Sequence, residues 1–179
     1  MTHVPDAEQT KLAQWELVAR AVERTQRRVL ERVEAIGVPS AWFAVLHELL
    51  THREHRLQMS RLARELSMTS GGFTKLADRM GREGLIDRRA SVGDRRVVFA
   101  ALTTEGLRVA RRAERVYQVA LHEYVFDVVS ATTLTKLAAG VRPLDDAAAE
   151  EIIEAPVMST RRDPEMPERR SRFDSRATS

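Results

Sequence analysis

Two short amphipathic runs around a hydroxyl-rich break, a basic stretch of β character behind them, and long flanking runs of helical period predict a mostly α fold. The expected class is an α+β winged helix-turn-helix, with a helical dimerisation bundle carrying a two- or three-stranded wing. The chain divides accordingly into an N-terminal dimerisation helix (1–37), the winged helix-turn-helix (38–103), C-terminal dimerisation helices (104–154) and a disordered tail (155–179).

At the N-terminus Asp6 can cap a helix, with Gln9 as its reciprocal partner. Leu12, Trp15, Ala19, Val22, Gln26, Val29, Val33 and Ile36 then recur at spacings of three and four, and Gly37 ends the run. At about 1.5 Å per residue this helix is roughly 45 Å long, more than a compact domain of this size buries internally. Its apolar stripe needs another helix, and a second chain is the expected source. Gln26 in mid-stripe would help set the register. Next, Val38-Pro39-Ser40 starts a helix that is apolar on nearly every side through Trp42, Phe43, Val45, Leu46, Leu49 and Leu50, so it should sit centrally. Thr51 to Arg56 reads as a polar connector.

The helix-turn-helix opens with a run in which Leu57, Leu62, Ala63 and Leu66 share an apolar face while Arg61, Arg64 and Glu65 point outward. Hydroxyls in Ser67-Met68-Thr69-Ser70 cap a second helix. There Phe73, Leu76, Ala77 and Met80 turn inward and Thr74, Lys75, Asp78, Arg79 and Arg82 outward. After Gly84, Leu85-Ile86 and Val97 to Leu102 read as two β segments, joined through turn residues from Ala90 to Asp94. Thr103 or Thr104 caps a long helix whose apolar positions, Leu107 to Val128, keep period for about 25 residues. Ser130 starts another, through Leu134, Leu137, Ala138 and Val141, which Gly140 and Pro143 should end; Leu144 to Glu154 forms one further short helix. From Ala155 onward Pro, Ser, Arg and acids leave almost nothing apolar to bury.

Charge is uneven. Net charge is +3, yet Arg56 to Arg96 carries ten basic and five acidic residues, leaving the remainder negative. A basic zone on a winged helix is the electrostatic footprint of phosphate binding. The second helix of such a motif enters the major groove with its first turn at base-edge depth. Thr69 and Ser70, at that turn, are therefore DNA-contact candidates, and Ser60 and Arg61, at the start of the first helix of the motif, are candidates beside them. So are Gly71 and Gly72, whose lack of side chains lets backbone N–H groups approach a phosphate. Thr74, Lys75 and Arg79 project outward, for hydroxyl contacts to bases and cationic contacts to phosphates.

The ordered series Met59-Ser60-x-Leu62-Ala63, Phe73-Thr74-Lys75-Leu76, Gly84-Leu85-Ile86, Asp94-Arg95-Arg96 and Leu102-Thr103-Thr104-Glu105-Gly106 resembles the MarR (multiple-antibiotic-resistance regulator) family of transcription factors. With the flanking helices the resemblance covers about two thirds of the chain. It implies that Asp94 braces Arg96 for entry into the minor groove, with Arg95 beside it at the wing tip. Arg88 and Arg89 would contact the flanking DNA backbone. It also implies a homodimer held by the first helix and the last two, making Leu12, Val22, Leu121, Tyr124, Leu134 and Leu137 the dimerisation candidates. The partner is then double-stranded DNA bearing an inverted repeat, with recognition helices about 34 Å apart. Family members commonly release DNA when a small aromatic or anionic effector enters a crevice beside the dimerising helices. Here Trp15, Trp42, Phe43, His47 and Tyr117 are its lining candidates, although packing alone accounts for large apolar residues at helical spacing.

Other classes are disfavoured. With no cysteine, disulfides, thiol-based redox sensing and Cys-based zinc sites are excluded. His47, His52 and His55 are spaced too loosely to predict a metal site, and no cofactor is expected. No catalytic motif such as G-x-S-x-G or H-E-x-x-H occurs, so an enzyme is not expected. No apolar run approaches the roughly 20 residues of a membrane span, and a cytoplasmic, nucleoid-associated protein is expected. The alternative is a winged helix that serves only protein interaction. The retained arginines of the wing favour DNA.

Overall fold

A computed structural model of the chain describes residues 7–91 and 96–154. The described residues form, in order, α1 (Ala7–Glu34), α2 (Ser40–Thr51), β1 (Arg56–Gln58), α3 (Met59–Glu65), α4 (Ser70–Arg82), β2 (Ile86–Ala90), β3 (Val98–Leu102), α5 (Thr104–Leu121), a π-helical turn (His122–Phe126) and α6 (Ala131–Glu154). The strands make one antiparallel sheet in the order β1-β3-β2. Arg56 pairs with Ala101 on one side of β3, and Ile86 through Ala90 pair with Leu102 through Val98 on the other. The expected class, mostly α with a small wing, is the class observed, and the wing has three strands.

The core lies where α2 crosses the winged helix. Phe43, Val45, Leu46 and Leu49 of α2 are buried with Leu62 and Ala63 of α3, Phe73, Leu76, Ala77 and Met80 of α4, Ile86 and Ala100 of the sheet, and Ala110 and Ala113 of α5. No polar or charged residue is buried among the described residues. This agrees with the expectation of a central α2, since a helix apolar all round can only be satisfied from all sides. By contrast α1 buries only Val29 and Val33, near its C-terminal end, while Leu12, Trp15, Leu17 and Val22 are more than half exposed.

Several local expectations are corrected. Leu57 is not on the helix face: it lies in β1 opposite Ala100, because the sheet edge captures Arg56 to Gln58 and delays helix α3 to Met59. Arg53–His55 forms a tight 3-10 turn in which Glu54 and His55 both have positive φ, 63° and 50°. The long helix after the wing does not keep α geometry to Val128. It changes at His122 to a π turn closed by the Asp127 N–H donating to the His122 carbonyl at 2.9 Å, which shifts the register of every later side chain. Finally, α6 does not stop at Gly140 or Pro143. Proline removes one backbone donor, and the strong helix formers of Ala147 to Glu154 continue the helix beyond it. Ser130 caps α6 as expected, accepting from the Thr133 N–H at 3.2 Å.

The chain falls into two compact units, the first ending at Pro143 and the second beginning at Leu144. Among the described residues no helix is long and apolar enough to cross a membrane. The expected Asp6 cap and the tail from Ala155 lie outside the described residues.

Candidate nucleic-acid interface

The turn between α3 and α4 follows from local chemistry. Ser67 adopts φ +50°, and the N–H groups of Ser67 and Met68 return to the Arg64 and Ala63 carbonyls at 2.9 and 2.8 Å. Thr69 then caps α4, its hydroxyl accepting from the Gly72 N–H at 3.2 Å. A Cβ on Gly72 would sit 3.0 Å from that same hydroxyl, so glycine there protects the cap. Gly72 therefore has a structural reason of its own, and its N–H is already engaged. The other first-turn N–H groups, of Ser70 and Gly71, keep the candidate role, and the space around Gly71 is open.

Beyond the cap, the exposed face of α4 carries Lys75, Asp78, Arg79 and Arg82. Thr74 is half-buried, and its hydroxyl donates back to the Ser70 carbonyl at 2.8 Å, which leaves its lone pairs for an incoming donor. Between the start of α3, the start of α4 and the wing lies an open depression of about 210 Å³. Ser60, Ser70, Thr74, Arg88 and Arg96 all line it, over a floor that includes Phe73 and Val98. Five residues singled out from separate stretches of sequence thus converge on one concave surface.

Other candidates are placed differently. Arg61 is paired with Glu65 one turn on, at 3.0 Å, and Arg89 with Asp87 at 2.9 Å. Arg88 does not reach outward on its own: its guanidinium pairs with the carboxylate of Asp78 on α4. Asp94 and Arg95 lie outside the described residues. In the sequence Asp78 is only one of the outward residues of α4, and the signal that sets it apart is a carboxylate one turn after Thr74 on an otherwise cationic face.

Behind this surface α2 meets α5. Phe43 packs against Tyr117 with ring centroids 4.9 Å apart, and His47 lies 5.5 and 5.7 Å from the two rings. His47 Nδ1 is 2.7 Å from Glu114 Oε2, while Gln118 donates to the other carboxylate oxygen at 3.0 Å. Burial first, and the Glu114 charge second, push the Tyr117 phenol above its usual range. Trp42 is half-buried against the same core. The structure thus gathers three of the five effector-site candidates, Phe43, His47 and Tyr117, in one ring cluster. Trp15 is not among them within one chain, because the part of α1 that bears it projects 55% exposed. His52 bonds the Glu48 carbonyl at 2.8 Å, and among the described residues no three potential ligands converge on a metal position.

Of the dimerisation candidates, Leu12, Val22 and Leu137 are exposed, and Leu121, Tyr124 and Leu134 are half-buried. Arg28 of α1 sits over the Tyr124 ring at 5.9 Å, and Arg32 pairs with Glu123 at 3.4 Å, which ties α1 to the π turn.

This architecture has known counterparts. Residues 36–97, from just before α2 to just before β3, match the model of the MarR family. Over 92 residues the chain is 32% identical to the HTH-type transcriptional regulator PrsX of Escherichia coli, covering 51% of this chain and 55% of that protein. Over 84 residues it is 34% identical to the HTH-type transcriptional repressor MdtR of Bacillus subtilis, covering 47% and 53%. The chain spans about half the length of the curated relatives it matches. Among solved structures, AbsC, a MarR family transcriptional regulator of Streptomyces coelicolor, superposes with a TM-score of 0.73 at 21% identity, over 82% of this chain and 97% of that one. Sco3205 from the same organism, solved in complex with DNA, superposes with a TM-score of 0.70 at 23% identity, over 82% and 91%. At those identities the likeness is one of fold. Residues 36–97 are thus similar to the MarR family, and the described fold is the one that MarR family regulators such as AbsC share.

Proposed function

We propose that this protein is a sequence-specific double-stranded DNA-binding transcriptional regulator and not an enzyme. It acts as a homodimer on an imperfect inverted repeat of about 16 to 20 base pairs. The observation that carries this reading is the convergence of Ser60, Ser70, Thr74, Arg88 and Arg96 on one depression between the recognition helix and the wing. Major-groove contacts fall to Ser70, Gly71, Thr74 and Lys75, phosphate contacts to Arg79, and minor-groove entry to Arg96. A narrow groove rich in A·T concentrates negative potential and rewards an inserted arginine. The repressors among its relatives and the DNA complex of Sco3205 support the same assignment.

The finer reading is a repressor released by a small aromatic or anionic effector. The Phe43, His47 and Tyr117 ring cluster with Glu114 supports it, because α2 of the winged helix and α5 meet there. A ligand that parts these helices would tilt the recognition surface.

The test is a titration of the full-length protein against duplex from its own upstream region. Affinity should fall steeply as salt rises, with preference over random duplex. Arg96→Ala should weaken operator binding by about 1 to 3 kcal/mol while leaving the melting temperature unchanged. A folded wild type that binds its upstream duplex no better than random DNA would refute the proposal. For the effector, thermal shifts against a panel of phenolic acids should single out compounds that also dissociate the complex.

A further inference from the structure

Resting on the DNA-binding reading above, we propose that Asp78 is a positioning residue that holds Arg88 and thereby locks the wing to the recognition helix. Asp78 sits in the third turn of α4 and Arg88 in the middle of β2, and their side chains form an ion pair across the joint between helix and sheet. Both are partly exposed, at 51% and 38% of their side-chain surface. An exposed pair of this kind adds little to folding stability.

Two physical facts give the pair another purpose. Asp78 lies one helical turn beyond Thr74, on the face that would approach DNA, where an unpaired carboxylate would repel phosphates. Arg88 neutralises it. At the same time Arg88 lines the depression with Thr74, Ser70 and Arg96, so the bridge sets the spacing between the groups meant for the major groove and those meant for the minor groove. A helix and a hairpin that must seat in two grooves together bind best when their separation is fixed beforehand, since ordering them on contact subtracts from affinity. Arg88 then serves as a strut, and its charge is balanced before any phosphate arrives.

The two roles predict opposite signs. If Asp78 is a strut, Asp78→Ala and Arg88→Ala each weaken operator binding by about tenfold, and the double variant is no weaker than the weaker single, as coupled partners behave. The slope of log affinity against log salt stays at the wild-type value, and the exchanged pair Asp78→Arg with Arg88→Asp recovers most of the loss. If Asp78 is only a repelling bystander and Arg88 contacts phosphate, Asp78→Ala binds as tightly as wild type or tighter. Arg88→Ala then lowers the salt slope by about 0.9. That pattern overturns the inference while leaving the DNA reading intact. A wild-type protein that shows no salt-dependent preference for its upstream duplex ends both. Thermal melts of each variant, expected to match wild type, keep the comparison among folded proteins.

Discussion

Gly106 shows how much one missing side chain can decide. Thr103 caps α5 by accepting from the Gly106 N–H at 2.9 Å, and its own N–H donates to the Leu85 carbonyl at 3.1 Å. A Cβ on Gly106 would fall inside the van der Waals shell of that same Leu85 carbonyl oxygen. Glycine is therefore what allows α5 to start directly against the backbone entering β2. Gly106→Ala should destabilise the protein by about 3 kcal/mol or more in urea denaturation, because backbone on both sides leaves no side chain to yield. Tyr117 makes a second case at this scale. Its phenol is held above the usual range in the folded protein, so its contribution to stability is complete below about pH 10 and is lost as pH rises through the folded value. Tyr117→Phe should flatten that alkaline decline, measured by urea melts across about pH 9 to 11.

At the scale of elements, α4 and its cap were legible because capping and amphipathic period are local properties. Thr69, the inward set of Phe73, Leu76, Ala77 and Met80, and the exposed set of Lys75, Asp78 and Arg79 are where the sequence puts them. Thr69→Ala should cost about 1 kcal/mol of stability and fray the first turn of the recognition helix, weakening operator binding in the same titration. The strand β1 was not legible. Arg56 to Gln58 is too short to show a period, and its pairing with Ala101 to Phe99 is a contact between residues about 40 positions apart in the chain. The π turn at His122–Phe126 escaped for a related reason: apolar spacing looks the same on either side of a single extra residue. Of the candidate interface, the residue types were readable, but their partners were not. Nothing in the spacing of Asp78 and Arg88 announces that strand β2 brings them together.

For the whole molecule the telling feature is how little of α1 one chain can cover. Leu12, Trp15, Leu17 and Val22 remain more than half exposed along a helix of 28 residues, which is about 42 Å. An apolar row of that length supports burial against a second copy, as the proposed function requires. Replacing Leu12 and Val22 together by glutamate should give a monomer in analytical ultracentrifugation, with the winged helix still folded because neither side chain reaches its core. Operator affinity should then drop by about 100-fold or more, since two linked contacts become one. Retention of a dimer in that variant would place the interface elsewhere.

By itself the sequence determined the helix-turn-helix, its caps, the basic wing and the central α2, because each depends on residues within a few turns of one another. Only the tertiary structure decided which of the basic residues line the depression, and that one of them, Arg88, is paired there with Asp78. It also decided that Trp15 stays apart from the Phe43, His47 and Tyr117 cluster, and that Gly106 and Leu85 meet. Those outcomes depend on distances between segments far apart in the chain, and a linear pattern of apolar and charged residues carries no record of them.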